Sequence, residues 1–275
     1  MRQMNRFRRI LVKSTLLLLL LPATMQNKVQ AEAADGNSLT SIAEQYLFAA
    51  ANQERLARGL QPLKRDPVLS RAAAYHALQM AERGDISHGF PGEPELAARA
   101  ATAGVHFSLI TENVAQAPDS ELIHHMWMES EGHRENLLDS NVNVAGIAVV
   151  ERGDQLYAVE DFASTVETLT IDQQESSVAT LIATSGIPVA NQLTSDAAVE
   201  ATRAARQSCA ASTSSVSGRH PGFMMRYTAS TLNKLPTPLQ NHIGSGKYHQ
   251  AAVGACLASD ASPFTSYNIA VLLYP

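Results

Sequence analysis

Three short segments of this chain carry side chains that can move a proton or hold a cation. They are Ser87-His88, Thr111-Glu112-Asn113-Val114, and the run MWMESEGHRENLL from Met126 to Leu138. Two imidazoles brought together, His88 and His133, can bind Zn²⁺ or another divalent cation and leave open positions for water. A carboxylate beside them, Glu112, would fix the ring tautomer by accepting the second N–H. The same Glu112 can instead work with His88 as a general acid–base pair. A third reading is mechanical: Glu112 caps backbone donors, and both histidines bond to it to brace a long loop. Spacing alone leaves the three open.

The elements between these segments must bring them together. Ser41 to Arg58 is rich in Ala, Glu and Arg, and Gly59 stops the helix it predicts. A second helix is expected from about Pro67 to Arg83, with Leu69, Ala72, Ala73, His76, Ala77 and Met80 at helical spacing. There His76 reads as a packed or half-exposed helix residue. Gly84 ends this helix and Asp85 to Gly89 is a loop carrying His88. Pro94 suits the first turn of a third helix that Gly104 closes. Val105 to Ile110 reads as a short extended piece leading into the Glu112 segment. A fourth helix starts at Asp119 or Ser120 and is interrupted by Gly132. Val142–Val150 and Gln155–Phe162 then form a hairpin about the Gly-containing turn at 151–154.

The order and spacing of these motifs resemble the CAP (SCP-like) superfamily of cysteine-rich secretory, antigen 5 and pathogenesis-related 1 proteins, and its bacterial branch in particular. The matching residues are Asn52-x-Glu54-Arg55-x-x-x-Gly59-Leu60-x-Pro62-Leu63, Ser87-His88, Glu112-Asn113, Trp127-x-x-Ser130-x-Gly132-His133-Arg134-x-Asn136-Leu137-Leu138, and Val159-x-Asp161-Phe162. The resemblance covers about residues 41–164 and implies an α-β-α sandwich with a cleft lined by two His and two Glu. His88 matches the first His and Glu112 the first Glu. His133 stands in for the second His, which eukaryotic members carry on a later strand. Ser130 occupies the place of the second Glu, so that carboxylate is absent or displaced to Glu129 or Glu131. Arg134 and Asn136 are expected to anchor the loop, and Trp127 to pack in the core.

The ends of the chain carry other signals. Arg2, Arg6, Arg8, Arg9 and Lys13 precede the apolar run Leu16–Leu21, and Ala31-Glu32-Ala33 offers a small-x-small cleavage pattern. Residues 1–33 therefore read as a secretory signal peptide rather than a membrane anchor, because a span needs about 20 apolar residues. Its removal takes six basic and one acidic residue and shifts the formal charge from −5 to −10, which argues against a nucleic-acid partner. Secretion, or residence in a periplasm, is expected. The only two cysteines, Cys209 and Cys256, are expected to pair in that oxidising setting. Residues 165–190 read as a linker with a helix at 171–184. A small α+β domain over 191–275 follows, with a helix at 196–211 and strands near 223–228, 248–258 and 266–274.

No HExxH, GxSxG, Walker or CxxC pattern is present, so ordinary metalloprotease, α/β-hydrolase, NTPase and thioredoxin chemistries lack their residues. The expected function is a non-enzymatic binding module whose His/Glu cleft takes a lipid, a sterol, a cation or another cell-surface component. The candidate cleft residues are His88, Glu112, Glu129, Glu131, His133 and Arg134. The cation, if one is bound, would fall to His88 and His133, and no cofactor is required. The alternatives are a hydrolase acting on envelope material or peptides, with Glu112 as its acid–base group, and a structural envelope or spore-coat protein.

Overall fold

A computed structural model describes residues 40–210, 220–257 and 262–275. The segment read as a signal peptide, 1–33, lies outside the described residues. Among those described, no helix is long and apolar enough to cross a membrane.

The first domain is laid out as helix, sheet and helix. Helix α1 (Ile42–Ala57) opens with a capping box in which Ser41 and Glu44 exchange bonds between side chain and backbone. After the two-residue strand β1 (Lys64–Arg65) comes α2 (Pro67–Arg83), whose N-cap Asp66 accepts from the backbone N–H of Val68 and Leu69. Gly84 ends it with φ 67°, a left-handed conformation that glycine adopts without a Cβ clash. Helix α3 (Leu96–Ala103) starts two residues beyond Pro94, with Glu95 as its N-cap, so Pro94 precedes the helix rather than sitting in its first turn.

Strand β2 (Phe107–Ala117) overturns the expectation of a short extended piece before the Glu112 segment. It pairs antiparallel with β4 (Gln155–Thr165) all the way from Leu109↔Ser164 to Ala117↔Leu156, so Glu112 lies mid-strand. Helix α4 (Ser120–Glu129) is capped by Asp119, and α5 (Glu131–Leu138) follows. The break between them is at Ser130, whose extended backbone turns the chain, and Gly132 is inside α5. Strand β3 (Val144–Arg152) completes a sheet of order β1-β3-β4-β2, with β1 parallel to β3 and the other pairs antiparallel.

Side chains alternate across this sheet with the two-residue strand period. One face packs Val114, Ala148, Tyr157 and Val159 on Ala73, Ala77 and Met80 of α2. The other packs Ala115, Ile147 and Ala158 on Leu47 of α1 and on Ile123 and Trp127 of α4. Trp127 is 1% exposed and its indole N–H donates to the Val114 carbonyl at 3.1 Å. Gly146 is where α2 comes closest: a Cβ there would overlap the backbone of Leu69 and Ser70.

The C-terminal part is a second sandwich. Its sheet has the order β5-β7-β6, from β5 (Phe223–Ala229), β7 (Tyr267–Tyr274) and β6 (Gln250–Cys256), all antiparallel. Helices α6 (Ile171–Ala183) and α8 (Thr237–Ile243) cover one face and α7 (Asp196–Ala210) the other. Residues 165–190 are thus no mere linker. Val166, Val178, Ala179, Ile182 and Ile187 belong to the second core. The reason is that α6 carries its own apolar face and buries it on β6 and β7. Cys209 of α7 and Cys256 of β6 form a disulfide.

Candidate functional site

Glu112 is the centre of a buried ionic cluster. It faces α2 from the middle of β2 and its side chain is 2% exposed. Its Oε1 bonds to His88 Nδ1 at 2.9 Å and its Oε2 accepts from Arg99 Nη2 of α3. Behind this pair lies a second one. His76, fully buried on α2, places Nδ1 2.7 Å from Glu93 Oε1 and Nε2 2.7 Å from the Ser87 carbonyl. Glu93 also accepts from the backbone N–H of Phe90, and Arg99 donates to the carbonyl oxygens of Pro94 and His88. The loop from Gly84 to Glu95 is therefore pinned from beneath by His76, Glu93 and Arg99, and it presents His88 at the surface, 63% exposed.

The second imidazole comes from α5. Asn113, the neighbour of Glu112 on the opposite face of the strand, donates to the His133 carbonyl at 3.0 Å. Asn136 donates to the Glu112 carbonyl and to Asn113 Oδ1. Arg134 donates to the Met128 carbonyl across the Ser130 break. These bonds hold α5 on the sheet so that the rings of His133 and His88 lie 6.5 Å apart between centroids. The bond to Glu112 raises the pKa of His88, against the opposing effects of partial burial and Arg99. Burial, and then the charge of His88, lower that of His133.

The structure thus brings His88, Glu112 and His133 together, with Arg134 acting through the backbone. Glu129 and Glu131 are exposed on either side of the helix break, and neither pairs with the cluster. The further carboxyls of the site are instead Glu93 and Asp161. Asp161 lies directly opposite Glu112 on β4 and is completely buried. Sequence reasoning placed His76 only as a helix residue and did not single out Glu93 or Arg99. Arg99 at an apolar helix position among alanines was the available signal. His124 of α4 lies 3.9 Å from Glu54, His125 is exposed, and His242 stacks on Phe223 at 3.7 Å, all apart from this cluster.

As placed, the two histidines do not fit a metal. Two imidazoles on one tetrahedral zinc, at about 2.1 Å per bond, would have ring centres about 5 Å apart, against 6.5 Å here. Among the described residues no group of three His, Cys, Asp or Glu side chains is arranged to hold an ion. The site is also open. Next along α5, a shallow depression of about 560 Å³ is lined by Arg134, Asn136 and Asp139. A cleft of similar size, about 540 Å³, lies away from the histidines between α6 and α7.

The first domain is thus a three-layer sandwich with an exposed His beside a buried Glu on its central sheet. Residues 48–166 match the CAP family, the cysteine-rich secretory protein family. A curated relative, the uncharacterized protein YkwD of Bacillus subtilis (strain 168), is 31% identical over 117 residues, which is 42% of this chain and 46% of that protein. The chain therefore spans about half the length of the curated relative it matches. Among solved structures, an extracellular SCP-domain protein from Bacillus anthracis str. Ames is 28% identical, over 44% of this chain and 40% of that one, with a TM-score of 0.41. A cysteine-rich secretory protein from Staphylococcus aureus is 26% identical, over 45% and 39% of the two chains, with a TM-score of 0.37.

Proposed function

We propose that this is an exported protein whose CAP domain is a non-enzymatic binding module. The His88/His133 pair would recognise a polar or anionic group of a lipid or other cell-surface component. One observation carries this reading. Both carboxylate oxygens of Glu112 are engaged, one by His88 and one by Arg99, and the group is buried. A general base must come within hydrogen-bond reach of the substrate proton, and Glu112, held by His88 and Arg99 with its side chain 2% exposed, is closed off from solvent. What the site presents to solvent is imidazole: His88 biased towards its charged form and His133 towards its neutral one. That combination supplies a cation and a hydrogen-bonding partner on an open surface, which suits a head group displayed by a larger assembly.

The test is co-sedimentation of the full chain with vesicles containing an anionic phospholipid, and with neutral vesicles. Wild type is expected to bind the anionic vesicles, and His88→Ala combined with His133→Ala to weaken binding at least tenfold while the melting temperature holds. Equal binding by the double variant would remove the site from the reading. Turnover of a peptide or envelope substrate that is lost in Glu112→Gln would replace the reading with a hydrolase.

A further inference from the structure

The buried cluster holds one carboxyl more than its cations can balance. His76 faces an acceptor at each ring nitrogen, Glu93 Oε1 and the Ser87 carbonyl. Hydrogens are therefore needed at both contacts, and the His76–Glu93 pair is neutral whichever partner holds the shared proton. Arg99 pairs with Glu112 and cancels it. His88, the remaining titratable neighbour, stands at the surface and bonds to Glu112 alone. Asp161 is left over. It faces Glu112 from β4, and the strand on its other side, β3, contributes only Gly146 at the matching position. Its neighbour Glu160 points to the opposite face. Both Asp161 oxygens are buried, and no donor reaches either.

An ionised carboxylate in that position would sit in a dry site against a second carboxylate with no cation of its own, and such a charge neutralises itself by taking a proton. We propose that Asp161 is a neutral carboxylic acid that donates its hydrogen to Glu112, so that the two carboxyls share one proton behind His88. Glu112, bound to Arg99, is the ionised member. Burial and the charge of Glu112 push the Asp161 carboxyl well above its usual range, in keeping with this assignment. Asp161 is then a positioning residue. Its O–H, together with Arg99, fixes the carboxylate to which His88 is tethered, and its role stands whether or not the site binds an anionic surface.

The direct test follows the side-chain carboxyl carbons of the full chain by ¹³C NMR from pH 3 to pH 8, with Asp161→Asn to assign the Asp161 signal. Asp161 is expected to keep the chemical shift of a protonated acid to a pH well above the ordinary aspartate range. An Asp161 signal that titrates in the ordinary aspartate range overturns the proposal. Asp161→Asn keeps a donor without a charge. It is expected to leave the His88 imidazole midpoint within about 0.3 units, a shift smaller than one nearby charge produces. A fall of one unit or more in that midpoint would mean that a negative charge had been removed, and would equally overturn it. Asp161→Ala, which loses the donor, is expected to lower the His88 midpoint, and the Asn variant to restore it.

Discussion

The two sheets of this molecule meet their helices in the same way and differ in what they bury beside the contact. Each has one strand glycine against which a helix backbone lies flush: Gly146 of β3 under Leu69 and Ser70 of α2, and Gly254 of β6 under Ala205 and Arg206 of α7. Beside Gly254 the sheet buries hydrocarbon. Val253, Ile269, Val271 and Leu273 are all closed off from solvent, and the disulfide ties α7 to β6. The buried acid there, Glu175, is fully paired: it accepts from the Ala255 N–H and from Arg206, whose half-exposed guanidinium also meets Asp172. Beside Gly146 the sheet buries acids. The central strand β4 reads Val159-Glu160-Asp161-Phe162, and because side chains alternate, Asp161 faces α2 and Glu160 faces α1. Buried charge is weak evidence for stability. The C-terminal sandwich is thus built to hold its shape, whereas the first domain holds side chains that folding alone would not select.

This contrast can be broken by experiment. Reducing the Cys209–Cys256 bond opens a loop with a sequence separation of 47 residues. On the chain-entropy model that costs about 4 kcal/mol. The expected outcome is a lower melting transition for the C-terminal domain, with the His88 and His133 resonances unmoved. Gly146→Val and Gly254→Val would each force a helix off its strand and lose about 3 kcal/mol or more, as overpacking at rigid backbone does. Chemical denaturation measures this, and tolerance of Gly146→Val would mean that α2 is less closely held than α7.

Glu160 gives the next effect and the opposite sign. Burial pushes its carboxyl to about 8, with Arg65 only partly offsetting this, and no donor reaches either oxygen. A carboxyl whose pKa is higher in the folded than in the unfolded chain supports the fold fully below its unfolded pKa. That support is lost as pH rises through about 8. Each pH unit in that window costs up to about 1.4 kcal/mol. Glu160→Gln is therefore expected to stabilise the protein at pH 7 by about 2–3 kcal/mol and to flatten the fall in stability from pH 5 to pH 8. Urea melts at the two ends of that range check it. An unchanged slope would mean that the Glu160 carboxylate finds a partner in the fold.

What could be read from the sequence divides along the same line. Helices announced themselves through helical spacing and stops, Gly59 and Gly84, and through the N-cap candidate Asp119. Strands β3 and β4 announced themselves through a hairpin turn. His88, Glu112 and His133 were legible because motif spacing carries them. The deeper cluster was not, because it forms from four separate elements. His76 comes from α2, Glu93 from a loop, Arg99 from an alanine-rich helix and Asp161 from a strand, and no local pattern marks a buried charge as paired. The length of β2 was hidden for a similar reason. Thr111-Glu112-Asn113 has polar residues where an apolar strand pattern would be recognised, and only pairing with β4 makes it continuous. Helix α6 read as part of a linker because its apolar face has no partner until β6 and β7 arrive, far along the chain.

The smallest expected effect separates the two imidazoles themselves. His88 is raised by its bond to Glu112 while His133 is lowered by burial and by the charge of His88. An NMR titration should therefore find the His88 midpoint above that of His133. Raised in the folded state, His88 stabilises the fold below its unfolded pKa, and that increment disappears as pH climbs past the folded one. Because the ring is largely exposed, solvent screens the pair and the increment stays under about 1 kcal/mol, falling further with added salt. His88→Gln should abolish this increment and move the His133 midpoint upward, because the repelling charge is gone. If His133 does not respond, the two rings are electrostatically independent, and a single anionic group bridging both would no longer be the natural occupant of the site.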